Sequence, residues 1–175
     1  WWQLLLIALL LAFGQQVHTA INSVAQFKRL ADPALLPWLM PVFWVGFSAG
    51  LLLVDRLVRA RGALPVLQLA SVAGALALSA AAMAGGLPLL LSSQFAAGVF
   101  WGCILCASIG VACERGYPRQ TGRNTGALMA TLAVAALSRL GLAAAGGAEL
   151  AALFEWLPVA LWGAAVVLLL RLRWT

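Results

Sequence analysis

The sequence predicts an all-α membrane protein with six transmembrane helices, and three observations predict it. First, 64% of the 175 residues are hydrophobic and only 9% are charged. A soluble domain is about 45–50% apolar and roughly 25% charged. Second, the charges cut the chain into apolar stretches of about 18 residues or more, each long enough to cross hydrocarbon. Third, the basic residues gather in alternate connections, as the positive-inside rule requires of a membrane protein. A net charge of +6 would otherwise raise nucleic acid as a partner. Here the bases lie between apolar runs, so topology explains them and no nucleic acid is expected. Cys103, Cys106 and Cys113 share one apolar run, which argues against a secreted disulfide framework.

The expected spans are 1–27, 34–55, 63–85, 87–113, 124–146 and 150–171, forming a single domain. The first run is uncharged if His18 is neutral; it is too long for a signal peptide and has no basic leader. Its start at Trp1-Trp2 reads as a processed or incomplete chain. The second span carries Pro37 and Pro41, where kinks are expected. Spans three and four meet at Gly85-Gly86-Leu87-Pro88, a strong turn signal. In the fourth, Gly98, Gly102, Cys106 and Gly110 recur every four residues, a ladder of small residues that lets another backbone approach closely. The fifth holds Arg139, and the sixth holds Glu155 with Pro158 as a further kink. Both charges lie roughly 9–12 Å inward from the turn between these spans, which makes Arg139–Glu155 an expected intramembrane ion pair. Its role is structural, or else a proton or substrate charge site.

Arg56, Arg59 and Arg61 follow the second span, Arg115, Arg119 and Arg123 follow the fourth, and Arg171 and Arg173 end the chain. In a six-span topology all of these lie on one side. The other side has only Lys28 and Arg29, partly offset by Asp32. Both termini are therefore expected in the cytoplasm, in a bacterial inner membrane.

The second junction reads Leu51-Leu52-Leu53-Val54-Asp55-Arg56-Leu57-Val58-Arg59-Ala60-Arg61-Gly62. It resembles the signature loop of the major facilitator superfamily, Gly-x-Leu-Ala-Asp-Arg-x-Gly-Arg-Arg. Leu53, Asp55, Arg56 and Arg59 match, whereas Leu51 and Val58 replace glycines, as in the copy carried by the second half of such transporters. Glu114-Arg115-Gly116-Tyr117-Pro118-Arg119, followed by Gly122 to Gly126, resembles the loop after the fourth helix of a family half. The resemblance covers all six spans, one half of the usual twelve. It implies a facilitator-like half bundle whose first and fourth helices line a central cavity. On charge alone, Asp55, Arg56, Arg59, Glu114 and Arg115 form a candidate cytoplasmic gating cluster; the arginines can equally serve only to set topology.

The first span carries polar residues in its second half. Gln15, His18, Asn22 and Gln26 recur at helical spacing, with Gln16 and Thr19 beside them. Such groups are costly in hydrocarbon unless paired, so they should face the protein interior or a water-filled cavity. A polar cavity lined by this stripe together with Gln94 and Trp101 is the expected substrate pathway; interhelical hydrogen bonding is the alternative. Cys103, Cys106 and His18 are too sparse a set to predict a metal site. No catalytic set and no phosphate-cradling loop is present, so no enzyme activity and no cofactor is expected.

The functional expectation is half of a secondary transporter for a small solute, completed in the bilayer by a second six-helix half. The alternative is a non-transporting membrane subunit that acts as scaffold in a larger complex. The topology has a direct test. A cysteine placed between Arg56 and Arg61 should resist a membrane-impermeant maleimide in intact cells, and labelling from outside would overturn the assignment.

Overall fold

The computed structural model describes residues 1–144 and 154–172. Among these residues the chain is helical and contains no strand. Helix α1 runs Trp2–Leu30 and includes one wide π turn at His18–Asn22. Asp32 ends the link after it by accepting the Ala34 N–H at 2.8 Å, which caps a 3₁₀ turn at Pro33–Leu35. That turn and a short helical piece at Leu36–Leu39 lead into the main part of α2, Val42–Arg61. Gly62, at φ +84°, makes the reversal into α3, Ala63–Ala82; only glycine adopts this backbone at little cost. Helices α4 (Leu87–Gly116), α5 (Thr121–Ala144) and α6 (Leu157–Arg171) complete the bundle.

Four of these helices are long and apolar enough to cross a membrane: α1, α2 from Pro33, α3 and α4. Their outer faces are apolar as well. Trp38 and Leu52 are each 80% exposed, more apolar surface than water tolerates without a partner or lipid. Helix α6 is shorter than its expected span. Pro158 stands in its first turn, where proline starts a helix, so it marks an end and not a kink. Pro37 lies in the first turn of the short piece before α2, and Pro41 stands at the break between that piece and Val42–Arg61, within one span from Pro33, where a kink was expected. The expected spans at 124–146 and 150–171 extend partly beyond the described residues.

Helix α1 packs on α5 and α6, α4 packs on α2, α3 and α5, and α3 packs on α6. Two constructions hold this arrangement. In the first, α2 and α4 lie parallel with their backbones in contact. A Cβ added at Gly46 or Gly50 would collide with the carbonyl oxygen of Phe95 or Val99. One at Gly98 would strike Phe43 O, and one at Gly102 would come 2.7 Å from Phe47 O. Gly98 and Gly102 of the small-residue ladder thus meet a matching pair on α2, and Cys103 donates its thiol to Gly50 O at 3.7 Å. In the second, Trp162 of α6 fills the centre. It is fully buried, its Nε1–H donates to Leu11 O at 2.9 Å, and its ring lies against Gly14 of α1 and Gly74 of α3.

Filling the α2–α4 seam should therefore be costly. Gly98→Leu is expected to destabilise by about 3 kcal/mol or more, at or beyond the upper end for overpacking. Thermal unfolding in detergent checks this, with Gly141→Ala, where an added Cβ meets no neighbour, expected to be near neutral.

Candidate functional site: a buried polar seam between α1, α3 and α4

The π turn lies within the polar stretch of α1, and such turns are rare single-turn features. His18, Asn22 and Gln26 project inward along with Gln15, and all four are 2–4% exposed. His18 Nε2–H donates to Gln94 Oε1 at 3.0 Å, and Gln94 Nε2 donates to Gln26 Oε1 at 3.4 Å. Gln26 Nε2 then donates to the Ala81 carbonyl at 3.2 Å. A single directional chain of hydrogen bonds thus joins α1, α4 and α3. Gln94 itself is fully buried, so each amide is held away from water by apolar neighbours, where such bonds are strong and costly to break.

Asn22 works on a different neighbour. Its Nδ2 donates to Phe154 O at 2.9 Å and to Glu155 O at 3.1 Å, tying α1 to the segment that leads into α6. The seam is not saturated. Both polar atoms of the Gln15 amide and Asn22 Oδ1 are buried without a hydrogen-bond partner among the described residues.

This differs from the expected cavity. The stripe was expected to line a polar space beside Gln94 and Trp101; instead Gln15, His18, Asn22 and Gln26 lie in packed contacts between helices. Gln94 joins them, but Trp101 does not. Its ring packs at 40° to Trp162, with centroids 6.1 Å apart. The physical reason is the bulk of Trp162, which occupies the space between α1, α3 and α4. The opposite side of the stripe is more open. Gln16 and Thr19 are half-buried, and Thr19 and Ser23 border a cavity of about 260 Å³ with Met40, Pro41, Phe43 and Trp44. Sequence reasoning missed Trp44 and Phe43, because aromatic residues in an apolar run carry no signal of which face they take.

The expected pair of Arg139 and Glu155 is also replaced. Glu155 lies 3.7 Å from Arg29 at the end of α1, and Arg29 also reaches Ala84 O at 3.5 Å. Arg139 is exposed on α5. Equal depth did not bring the two together, because α5 and α6 each pack on α1, and α1 carries the cation, Arg29, on the side where Glu155 emerges. At the other end, Arg59 Nε–H is shared between the two carboxylate oxygens of Asp55, 3.0 Å from each, and Arg59 Nη2 donates to Asp55 Oδ2. Both side chains lie largely exposed on α2, one turn apart. This pair is internal to one helix, with Arg56 adjacent; such exposed pairs add little to stability. Glu114 is exposed and Arg115 half-buried at the end of α4.

The hydrogen-bond chain predicts strong coupling between His18 and Gln94. Replacing either one by Leu strands the other amide or imidazole and should cost about 1–3 kcal/mol. The double replacement should cost less than the sum of the two, by about 0.6–2 kcal/mol, measured as a double-mutant cycle of unfolding free energies. Additive costs would mean that the bond does not form.

No family model, curated protein or solved structure matches this chain.

Proposed function

We propose that the chain is a six-span membrane bundle acting as half of a facilitator-type secondary transporter, with both termini in the cytoplasm. The observation that carries this reading is the pattern of helix pairings. Exchanging the triplet α1–α3 with α4–α6 turns the pair α2 and α4 into α5 and α1. It turns α3 and α4 into α6 and α1, and leaves α3 and α6 paired; all of these contacts occur. Successive helices alternate in direction, so the two triplets run in opposite senses. Inverted triplets of this kind are the nested repeat of facilitator halves, in which a solute site lies between two halves near the bilayer midplane. The partial signature loop at Asp55 and the sidedness of the arginines support the same reading.

The inner seam is packed, so solute contact belongs to the outward side of α1. The cavity at Thr19, Ser23 and Trp44 combines two hydroxyls with an aromatic wall, which suits a small, partly apolar solute. Asp55, held by Arg59 of the same helix at the basic end, offers its carboxylate to a helix end of the second half, a contact that rocking of the halves can break and remake. One observation favours the scaffold reading instead: Trp162 fills the centre of the bundle as a structural plug would.

Transport and scaffold separate in one experiment. The chain, purified together with the six-helix half that cross-links to it in the membrane, is screened in detergent for thermal stabilisation by a panel of small polar solutes, and hits are then tested for uptake into proteoliposomes. Asp55→Asn should keep the stabilisation by solute and lower the uptake rate by about tenfold, the effect of roughly 1.4 kcal/mol on the rocking barrier. A correctly inserted chain that neither binds nor moves any solute of the panel would leave the scaffold reading standing.

A further inference from the structure

Two helix irregularities border one cavity. On α1, the wide turn at His18–Asn22 has Ser23 N–H reaching back five residues to His18 O. On α2, Pro41 interrupts the span between Leu36–Leu39 and Val42–Arg61. Irregular backbone is tolerated at membrane depth where it is buried in protein or lines a cavity, and π turns gather at functional sites. The space holds about 260 Å³, and Thr19, Ser23, Met40, Pro41, Phe43 and Trp44 line it. Its two hydroxyls differ. Thr19, Ser48 and Ser79 each donate to the carbonyl four residues back, at 2.9, 3.1 and 2.9 Å, as helical hydroxyls can. Ser23 is only 7% exposed, yet its hydroxyl has no hydrogen-bond partner among the described residues. It is a buried polar group left for whatever fills the cavity it lines, and an unmade bond of this kind is costly.

The polar wall favours a ligand that donates. Thr19 has committed its hydrogen to Gln15 O, so its oxygen can only accept from the cavity, and Ser23 Oγ can accept as well. The opposite wall is aromatic. The Phe43 and Trp44 rings meet at 90° with centroids 5.2 Å apart, and Phe47 backs the indole at 77° and 5.8 Å. These edge-to-face contacts hold the indole in place. Trp is the aromatic side chain that attracts cations most strongly, and Met40 adds a polarisable thioether. An ammonium ion carries N–H donors and positive charge together, whereas a carboxylate or phosphate would meet lone pairs and π clouds. We infer that this cavity binds a small organic ammonium ion, its N–H groups on Thr19 Oγ1 and Ser23 Oγ and its charge beside the Trp44 indole. The inference rests on the proposed reading of this cavity as the solute site and names the class of solute.

The probes are cyclohexylamine, cyclohexanol and cyclohexanecarboxylate, which share one ring and differ in charge. Each is titrated calorimetrically into the full chain in detergent at pH 7, where the amine is protonated. Cyclohexylamine should bind about tenfold tighter than cyclohexanol, because charge-assisted hydrogen bonds are roughly twice as strong as neutral ones and the indole adds its attraction. Cyclohexanecarboxylate should not compete. Ser23→Ala should weaken amine binding about tenfold, as loss of one hydrogen bond to a charged group predicts, and Trp44→Leu about threefold. Ser79→Ala, whose hydroxyl serves its own helix, should bind as wild type. Cyclohexanol binding as tightly as the amine would overturn the inference, as would preference for the carboxylate or an unchanged amine affinity in Ser23→Ala. Should that variant fail to fold, Trp44→Leu decides in its place: a threefold loss supports the site, and an unchanged affinity overturns it. Binding of none of the three probes also overturns the inference. The solute reading itself fails only when the wider panel of polar solutes stabilises nothing either, so the two failures are distinct.

Discussion

Trp162 is the side chain on which the arrangement of the other helices depends. Its indole is buried against α1 and α3, approaches Trp101 of α4, and gives its one donor to a carbonyl of α1. Gly14 and Gly74 make room for it: an added Cβ at Gly14 would sit 2.7 Å from the ring. Helix α6 is only 15 residues long, and besides Trp162 it buries Pro158, Ala165 and Leu169 and accepts a hydrogen bond from Gln68 of α3 at Leu169 O (3.1 Å). One large residue in a short helix therefore sets the distance between three longer ones. The α2–α4 seam follows the opposite strategy, since there glycines remove side chains altogether and the carbonyls of one helix lie against the Cα atoms of the other. The bundle joins a bulky centre to a flank with no bulk.

Much of the fold was legible in the sequence because hydrocarbon is an unforgiving solvent. Charges mark helix ends, and the runs between them set helix lengths, so each expected span overlaps a helix observed among the described residues. The ladder at Gly98 and Gly102 was legible as a packing surface, though its partner was not, since Gly46 and Gly50 lie in a span whose prolines drew attention to kinks. The kink expected at Pro41 falls at the break between Leu36–Leu39 and Val42–Arg61, whereas Pro158 misled for a local reason. A proline near a helix start and one in mid-span look alike until the start is known, and Pro158 lies in the first turn of α6.

The candidate site was half legible. Helical spacing placed Gln15, His18, Asn22 and Gln26 on one face, and cost in hydrocarbon turned that face inward. What spacing lacks is the volume opposite. Whether a polar face meets water or another helix depends on residues far away in sequence, here Trp162 and Gln94. The same gap explains Glu155. Depth along a helix was readable for Arg139, but azimuth was not, and Arg29 proved to be the cation within reach.

The wide turn at His18–Asn22 has a consequence for how α1 tolerates change. An ordinary helix advances about 100° per residue, so a turn that takes up one extra residue keeps the helix after it in phase with the helix before it. His18 and Gln26 reach the same glutamine of α4 because of that surplus. A one-residue deletion inside the turn would be absorbed, restoring ordinary helix while Gln26 keeps its azimuth. The same deletion near Leu10 would swing one end of α1 by about 100° and part either Leu4 and Ile7 from the core or Gln26 from its partner. Within this helix, length is a spare quantity at one place and a fixed one everywhere else.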